Sequence, residues 1–259
     1  MNALFFGTGE RSLYGVYHPP RARVARRTGV VLCYPFGQEY MRSHRAFRQL
    51  ASLLTRAGFH LFRFDYYATG DSSGHSEEVT LAQWFEDIGT AIEELRETAD
   101  VEQVALVGLR LGATLAAQVA AVRDDVSHVV LWDPIVSGAS YLRDLLASSD
   151  ETMAGQAIDE ADTVGVNGFP LSPSFRRELS AIDLTERGMR LPGRSLMVVS
   201  GSSVDFTRAG DALVASGSRL ERREVPSPGN WGEVDDNGSA LIPVALIQAI
   251  VQDLTTECV

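Results

Sequence analysis

The chain has little cysteine, no long apolar run, more acid than base and no histidine in its last third, and each shortage excludes something. Cys33 and Cys258 are its two cysteines, far apart in 259 residues, so no disulfide framework is expected. No run approaches the roughly 20 apolar residues that cross a bilayer. The opening MNALFFGTGERSLYGVYHPP lacks a basic start followed by a continuous apolar stretch, so no signal peptide and a cytoplasmic location are expected. A formal charge of -11 works against sequence-independent nucleic-acid binding and against anionic membrane surfaces. The basic run RARVARR at 21–27 lies between two expected strands and reads as a solvated turn. No cluster has metal-ligand spacing, and no glycine-rich dinucleotide or P-loop signature follows a strand, so neither metal nor cofactor is expected.

What is present suits one α/β domain: 45% apolar residues provide a substantial core for a chain of this length. Apolar strands are expected at SLYGVYH, GVVLCY (29–34), HLFRFD (60–65), QVALVG (103–108), HVVLWD (128–133), RSLMVVS (194–200) and RLERREV (219–225). Helices separate most of them, the pattern of a mostly parallel sheet covered on both faces. One helix near 44–57 places Phe47, Leu50, Ala51 and Leu54 on one face and ends at Gly58. A second starts after Thr80, paired with Gln83 as a capping box, and carries the stripe Trp84, Ile88, Ile92 and Leu95. The segment 137–190 breaks this rhythm, with acidic helical stretches and then VNGFPLSPS. It is expected to be a small cap inserted into a core made of 1–136 and 191–259.

Residues 103–122 read QVALVGLRLGATLAAQVAAV, a strand, then Gly108-Leu109-Arg110-Leu111-Gly112, then an alanine-rich helix. This resembles the G-x-S-x-G nucleophile elbow of the α/β-hydrolases. Two more motifs fall in the same order: Tyr34-Pro35-Phe36-Gly37-Gln38-Glu39, where many relatives lead into the oxyanion hole, and Phe64-Asp65-Tyr66-Tyr67-Ala68-Thr69-Gly70-Asp71-Ser72, similar to the family's D-x-x-G-x-G-x-S turn. The resemblance covers nearly the whole chain and implies the α/β-hydrolase fold. More narrowly, PFGQE, GLRLGATLA, LWDPIVSG and the late Trp231 resemble the exosortase-associated hydrolase 2 group and related biosynthetic-cluster proteins, which also carry arginine at the elbow.

Arginine has no lone pair to offer and stays protonated, so Arg110 cannot form an acyl-enzyme. The resemblance places the triad acid at Asp205, in GSSVDFTRAGD, or at Asp133. It places the base near Asn230, but the five histidines, His18, His44, His60, His75 and His128, all precede that segment. Loss of nucleophile or histidine costs a serine hydrolase about a million-fold in turnover. Cys33, inside an apolar strand, reads as packing rather than a nucleophile. Ser72 and Ser73 read as turn residues, and His44 and His75 as surface groups.

An elbow guanidinium beside a helix N-terminus favours an anion. It also needs a counter-charge when partly buried. Glu39, on the neighbouring loop, is the candidate partner, either as a plain ion pair or as an acid or base. Arg63 is expected to pair with an acidic side chain. Arg110, Glu39 and Asp205 are therefore the candidate catalytic residues. Phe36, Gly37, Leu111, Asp133 and Trp231 are the candidate substrate-binding residues, while Trp132 and Phe169 are further pocket candidates, although large aromatics are more often simply packed. Three functions remain open. The first is a non-serine enzyme of small-molecule or polysaccharide biosynthesis acting on an acyl substrate such as a thioester or a carrier-protein-bound acyl group. The second is a catalytically dead binding protein, and the third is a hydrolase that uses carboxylate-activated water.

Overall fold

A computed structural model describes all residues except Glu10, 149–161, Arg187, 228–230, 232–241 and Val259. Eight strands form one sheet: β1 (Asn2–Thr8), β2 (Arg11–His18), β3 (Thr28–Cys33), β4 (His60–Phe64), β5 (Gln103–Leu109), β6 (Val126–Trp132), β9 (Arg194–Val199) and β10 (Arg219–Glu224). They run in the order β1-β2-β4-β3-β5-β6-β9-β10. The first two strands are antiparallel additions at one edge, and β4 through β10 pair in parallel. Every residue of β3 is buried, as in a strand covered on both faces. Each expected strand is present to within two residues.

Sequence periodicity missed β1, because only Phe6 of its seven residues is buried, which leaves an edge strand with almost no apolar alternation. The first long helix, α1 (Gly37–Arg56), starts a full two turns before the expected 44. Those turns bury Gly37, Glu39 and Ser43, so the apolar stripe begins only at Ala46 and Phe47. The next helix, α2 (Leu81–Ala99), is capped as expected at Thr80, whose side chain accepts from Gln83 N–H. The Gln83 side chain does not return the bond and donates instead to Asp87. Helix α3 (Leu111–Ala120) is buried on all sides, and its alanines let it pack against β5 and β6.

Between β6 and β9 lie α4 (Gly138–Ala147), the short hairpin β7 (Val164–Val166) and β8 (Phe169–Leu171), and α5 (Pro173–Ser180). The expected cap thus carries a hairpin as well as helices. Asn167 and Gly168 at its tip both have positive φ, 50° and 85°, as the tightest two-residue hairpin turns require. A carboxylate ties this segment to the core: Glu178 Oε2 accepts from Leu81 N–H (2.7 Å) and Ala82 N–H (3.1 Å), the orphan donors at the start of α2. Two further helices, α6 (Val204–Ala215) and α7 (Val244–Glu257), complete the layers. Among the described residues no helix is long and apolar enough to cross a membrane.

Candidate functional site

The centre of the site is a strained turn. Arg110 follows β5 directly and has φ 54° and ψ -120°, a conformation costly for a side-chain-bearing residue. Its backbone is held on both sides: the N–H donates to Trp132 O (2.9 Å), and the C=O accepts from Ala113 N–H (3.0 Å) and Thr114 N–H (3.3 Å). Glycines make the turn possible. A Cβ on Gly108 would lie 2.3 Å from Gly112 O, and one on Gly112 would lie 2.3 Å from both Cys33 O and Tyr34 O. Strand, turn and helix therefore close as in a nucleophile elbow, and the guanidinium leaves at the C-terminal end of the sheet.

Three side chains meet there. Arg110 Nε donates to Glu39 Oε1 (2.9 Å), Tyr141 Oη donates to Glu39 Oε2 (2.9 Å), and Arg110 Nη1 donates to the Asp133 carbonyl (3.3 Å). The guanidinium carbon also lies 5.5 Å from the Tyr141 ring centre. The Glu39 side chain is only 6% exposed, whereas that of Arg110 is 23% exposed. Burial by itself would lower the Arg110 pKa, but the Glu39 carboxylate, with Tyr141 and Asp133, holds it above the usual guanidinium range. Burial, reinforced by Glu39, pushes the Tyr141 hydroxyl well above its ordinary range, so it remains a neutral donor. Both Glu39 oxygens are occupied, which suits an orienting counter-ion better than a proton acceptor. Arg110 Nη2 makes no hydrogen bond among the described residues.

A cleft of about 240 Å³ opens at this set, lined by Glu39, Arg110, Tyr141, Asp144, Asn167 and Phe169 together with Phe36 and Gly37. On the far side of Arg110 and Tyr141 a smaller one of about 160 Å³ reaches Asp144, Ser203 and Asp205. A third, more apolar cleft of about 320 Å³ runs from Met41 to Tyr66 and Trp84 and shares Phe36, Gly37 and Phe169 with the first. Phe36 packs on Trp84 and Phe175, and Phe169, partly exposed on β8 and edge-on to Phe36 at 5.8 Å, forms the wall between the two.

Several candidate residues are placed differently from expectation. Asp205 lies in the first turn of α6, its N–H donating to the Ser203 hydroxyl, with a side chain 59% exposed and no bond to Arg110 or Glu39. Asp133 and Trp231 line none of these clefts. Asp133 is buried, and its carboxylate accepts from Ser200 N–H (2.6 Å) and from Trp231 Nε1 (3.1 Å). A triad acid would receive an imidazole N–H, and here it receives that of an indole, which donates but cannot accept a proton. Leu111 is buried and contributes only its N–H, the first of α3, which has no intrahelical acceptor. Trp132 is core. Asn230 lies outside the described residues. The Cys33 thiol is fully buried, and burial pushes its pKa up to about 12. Among the described residues Arg63 pairs with no acid, contrary to expectation, and donates to His18 and Tyr34.

Tyr141 and Asp144 were not among the expected site residues. They stand one turn apart on α4, in a segment whose sequence, GASYLRDLLA, reads as an ordinary amphipathic helix. The Asp144 side chain makes no hydrogen bond among the described residues and lines two of the clefts.

Known proteins agree with this architecture. The structure is similar to esterase Est1E from Butyrivibrio proteoclasticus with ferulic acid bound (TM-score 0.71, 15% identity, covering 98% of this chain and 97% of that one). It is also similar to mouse α/β-hydrolase domain-containing protein 10 (TM-score 0.65, 16% identity, covering 99% and 98%). In sequence, the mitochondrial palmitoyl-protein thioesterase ABHD10 of Homo sapiens is 34% identical over 113 residues, 44% of this chain. That match spans 34% of the relative's length. The family model for serine aminopeptidase, S33, matches residues 30–161, from β3 through the elbow and beyond α4. Over half its length, then, and with an arginine at the elbow, the chain belongs to the serine aminopeptidase S33 family, and its fold is that of the α/β-hydrolases.

Proposed function

We propose that this protein acts on an acyl compound, a thioester or related carbonyl carried by a small molecule or a carrier protein, without an acyl-serine intermediate. One observation carries the reading. Glu39 and the Asp133 carbonyl occupy Arg110 Nε and Nη1, and the remaining nitrogen, Nη2, belongs to a residue that walls a cleft of about 240 Å³. A guanidinium oriented in this way polarises a carbonyl or holds a carboxylate. The Leu111 N–H at the start of α3 lies at the position from which hydrolases of this fold stabilise an oxyanion. Asp144 has its carboxylate free to take a proton from water or from another acyl acceptor, and Glu39 positions Arg110. The apolar cleft behind Phe169 suits the acyl chain.

Family membership supports hydrolase-type chemistry, and the thioesterase relatives support a thioester as the substrate class. The narrower likeness to exosortase-associated hydrolase 2 proteins supports a cytoplasmic role in small-molecule or polysaccharide biosynthesis. A second reading, a binding protein without chemistry, is favoured by the closed Arg110–Glu39–Tyr141 set, in which each charge already has a partner.

Turnover of an acyl-thioester panel by wild type, Arg110→Ala and Asp144→Asn separates the two. Loss of one oxyanion-stabilising donor costs about 10²–10³ in rate, and losses of that order are expected for Arg110→Ala. Undiminished turnover in that variant would sink the first reading. Binding that depends on Arg110, with no turnover of any substrate, establishes the second.

A further inference from the structure

A separate cleft of about 320 Å³ opens between α1 and the paired strands β2 and β4, sharing none of Arg110, Glu39, Tyr141 or Asp144. Besides the Met1 amino group at its exposed rim, two charges of opposite sign face it without pairing to one another. Arg63, only 7% exposed, donates from Nε to His18 Nε2 (3.1 Å) and from Nη1 to Tyr34 Oη (2.9 Å), both neutral acceptors. His18 is neutral because burial, then the Arg63 charge, lowers its pKa to about 4. No carboxylate pairs with Arg63 among the described residues. Asp65 accepts from Tyr40 Oη (2.8 Å) and Asp71 N–H (3.1 Å), and no cation pairs with it among the described residues. Exposed Arg48 and Asp71 extend the same two charges to the rim.

A buried charge without a counter-ion is costly, in full for Arg63 and in part for the half-buried Asp65. A phosphate dianion at Arg63 would meet Asp65 and Asp71, and a simple amine at Asp65 would meet Arg63 and Arg48. A molecule carrying both signs satisfies each end. Between them stand the partly exposed Tyr40 and the exposed His44, both packed on Tyr34, which is itself buried against Phe47.

We infer that this cleft binds a free α-amino acid with an aromatic side chain, its carboxylate on Arg63 and Arg48, its ammonium on Asp65 and Asp71, and its ring beside Tyr34 and Tyr40. This goes beyond the acyl reading and does not depend on it. Calorimetric titration of the full chain with L-phenylalanine, hydrocinnamate and phenethylamine tests it, since the last two each lack one charge. Phenylalanine is expected to bind one-to-one and about tenfold or more tighter than either analogue. Arg48→Ala and Asp71→Asn, both at exposed positions, are expected to weaken it without lowering the melting temperature, and Arg110→Ala is expected to leave it unchanged. The inference is overturned by no heat with phenylalanine, by equal binding of hydrocinnamate, by affinity unchanged in both rim variants, or by loss of binding in Arg110→Ala.

Discussion

Arg110 combines a strained backbone with a half-shielded charge, and both are tolerated because neighbours compensate them. Glu39 is the main compensation, so Glu39→Gln is expected to destabilise the fold by roughly 3 kcal/mol. That is the low end for breaking a buried pair, since the Arg110 side chain keeps 23% of its exposure. Tyr141→Phe removes one charge-assisted hydrogen bond and is expected to cost about 1.5–3 kcal/mol. Urea unfolding of the two single variants and the double variant checks this. Additive losses would mean that Tyr141 and Glu39 act separately rather than as one set around Arg110. Restoring a serine is not expected to restore a serine hydrolase. In Arg110→Ser the hydroxyl would have no imidazole, and Asp133 is already bonded to an indole N–H. No labelling by a fluorophosphonate probe is therefore expected, and stoichiometric labelling would reveal a base elsewhere.

At the scale of elements, the elbow and the hairpin do different work. The elbow depends on close backbone contact, so Gly112→Ala, with a Cβ 2.3 Å from two carbonyl oxygens of the β3 end, must displace α3 or the loop after β3. Overpacking of this kind costs about 1–3 kcal/mol or more, and the same shift is expected to abolish ligand binding at Arg110. The hairpin β7–β8 instead carries Phe169, the wall between two clefts. Under the acyl reading, Phe169→Ala joins the cleft at Arg110 to the apolar one, and the ratio of kcat/KM for long over short acyl chains is expected to rise. An unchanged ratio would place the chain elsewhere. The elbow was readable from GLRLG, because two glycines around one residue have few other uses between a strand and a helix. The hairpin was not read, although Asn167-Gly168 is a turn signal, because its strands are three residues each and too short to alternate.

For the whole molecule, acid sensitivity follows from His18. Its pKa is about 4 in the folded state and near 6.5 in an unfolded chain. Below pH 6.5 the unfolded chain takes up a proton that the folded one refuses. This stabilising contribution is therefore full above pH 6.5, declines as pH falls, and is gone below about 4. Asp87 acts the other way: burial raises its pKa to about 6, so it favours the fold below 3.8 and loses that effect as pH rises through 6. Wild type is thus expected to lose more stability between pH 7 and pH 4 than His18→Asn does, as urea unfolding at the two pH values would reveal. Equal losses would mean that His18 is protonated in the fold. Burial also pushes both thiols to about 12. The native protein is expected to be inert to a thiol reagent and to expose two reactive thiols on unfolding, so labelling before unfolding would contradict the burial of Cys33 and Cys258.

The sequence by itself determined the sheet and the elbow, because both depend on local patterns, apolar strands and paired glycines, and the identity of residue 110 is what led to the expectation that serine chemistry is absent. It also suggested Glu39 as the partner of Arg110, since the loop after β3 lies beside the elbow throughout this fold. Only the tertiary structure decided what surrounds that pair. Tyr141 and Asp144 come from α4, in the segment between β6 and β9, and nothing local marks which of its faces turns toward Arg110. Asp133 and Trp231, 98 residues apart, withdraw from the site because they satisfy one another. Arg63 and Asp65 are two residues apart in the chain, and only the packing of α1 over β2 and β4 brings both to one cleft with no counter-ion for either among the described residues.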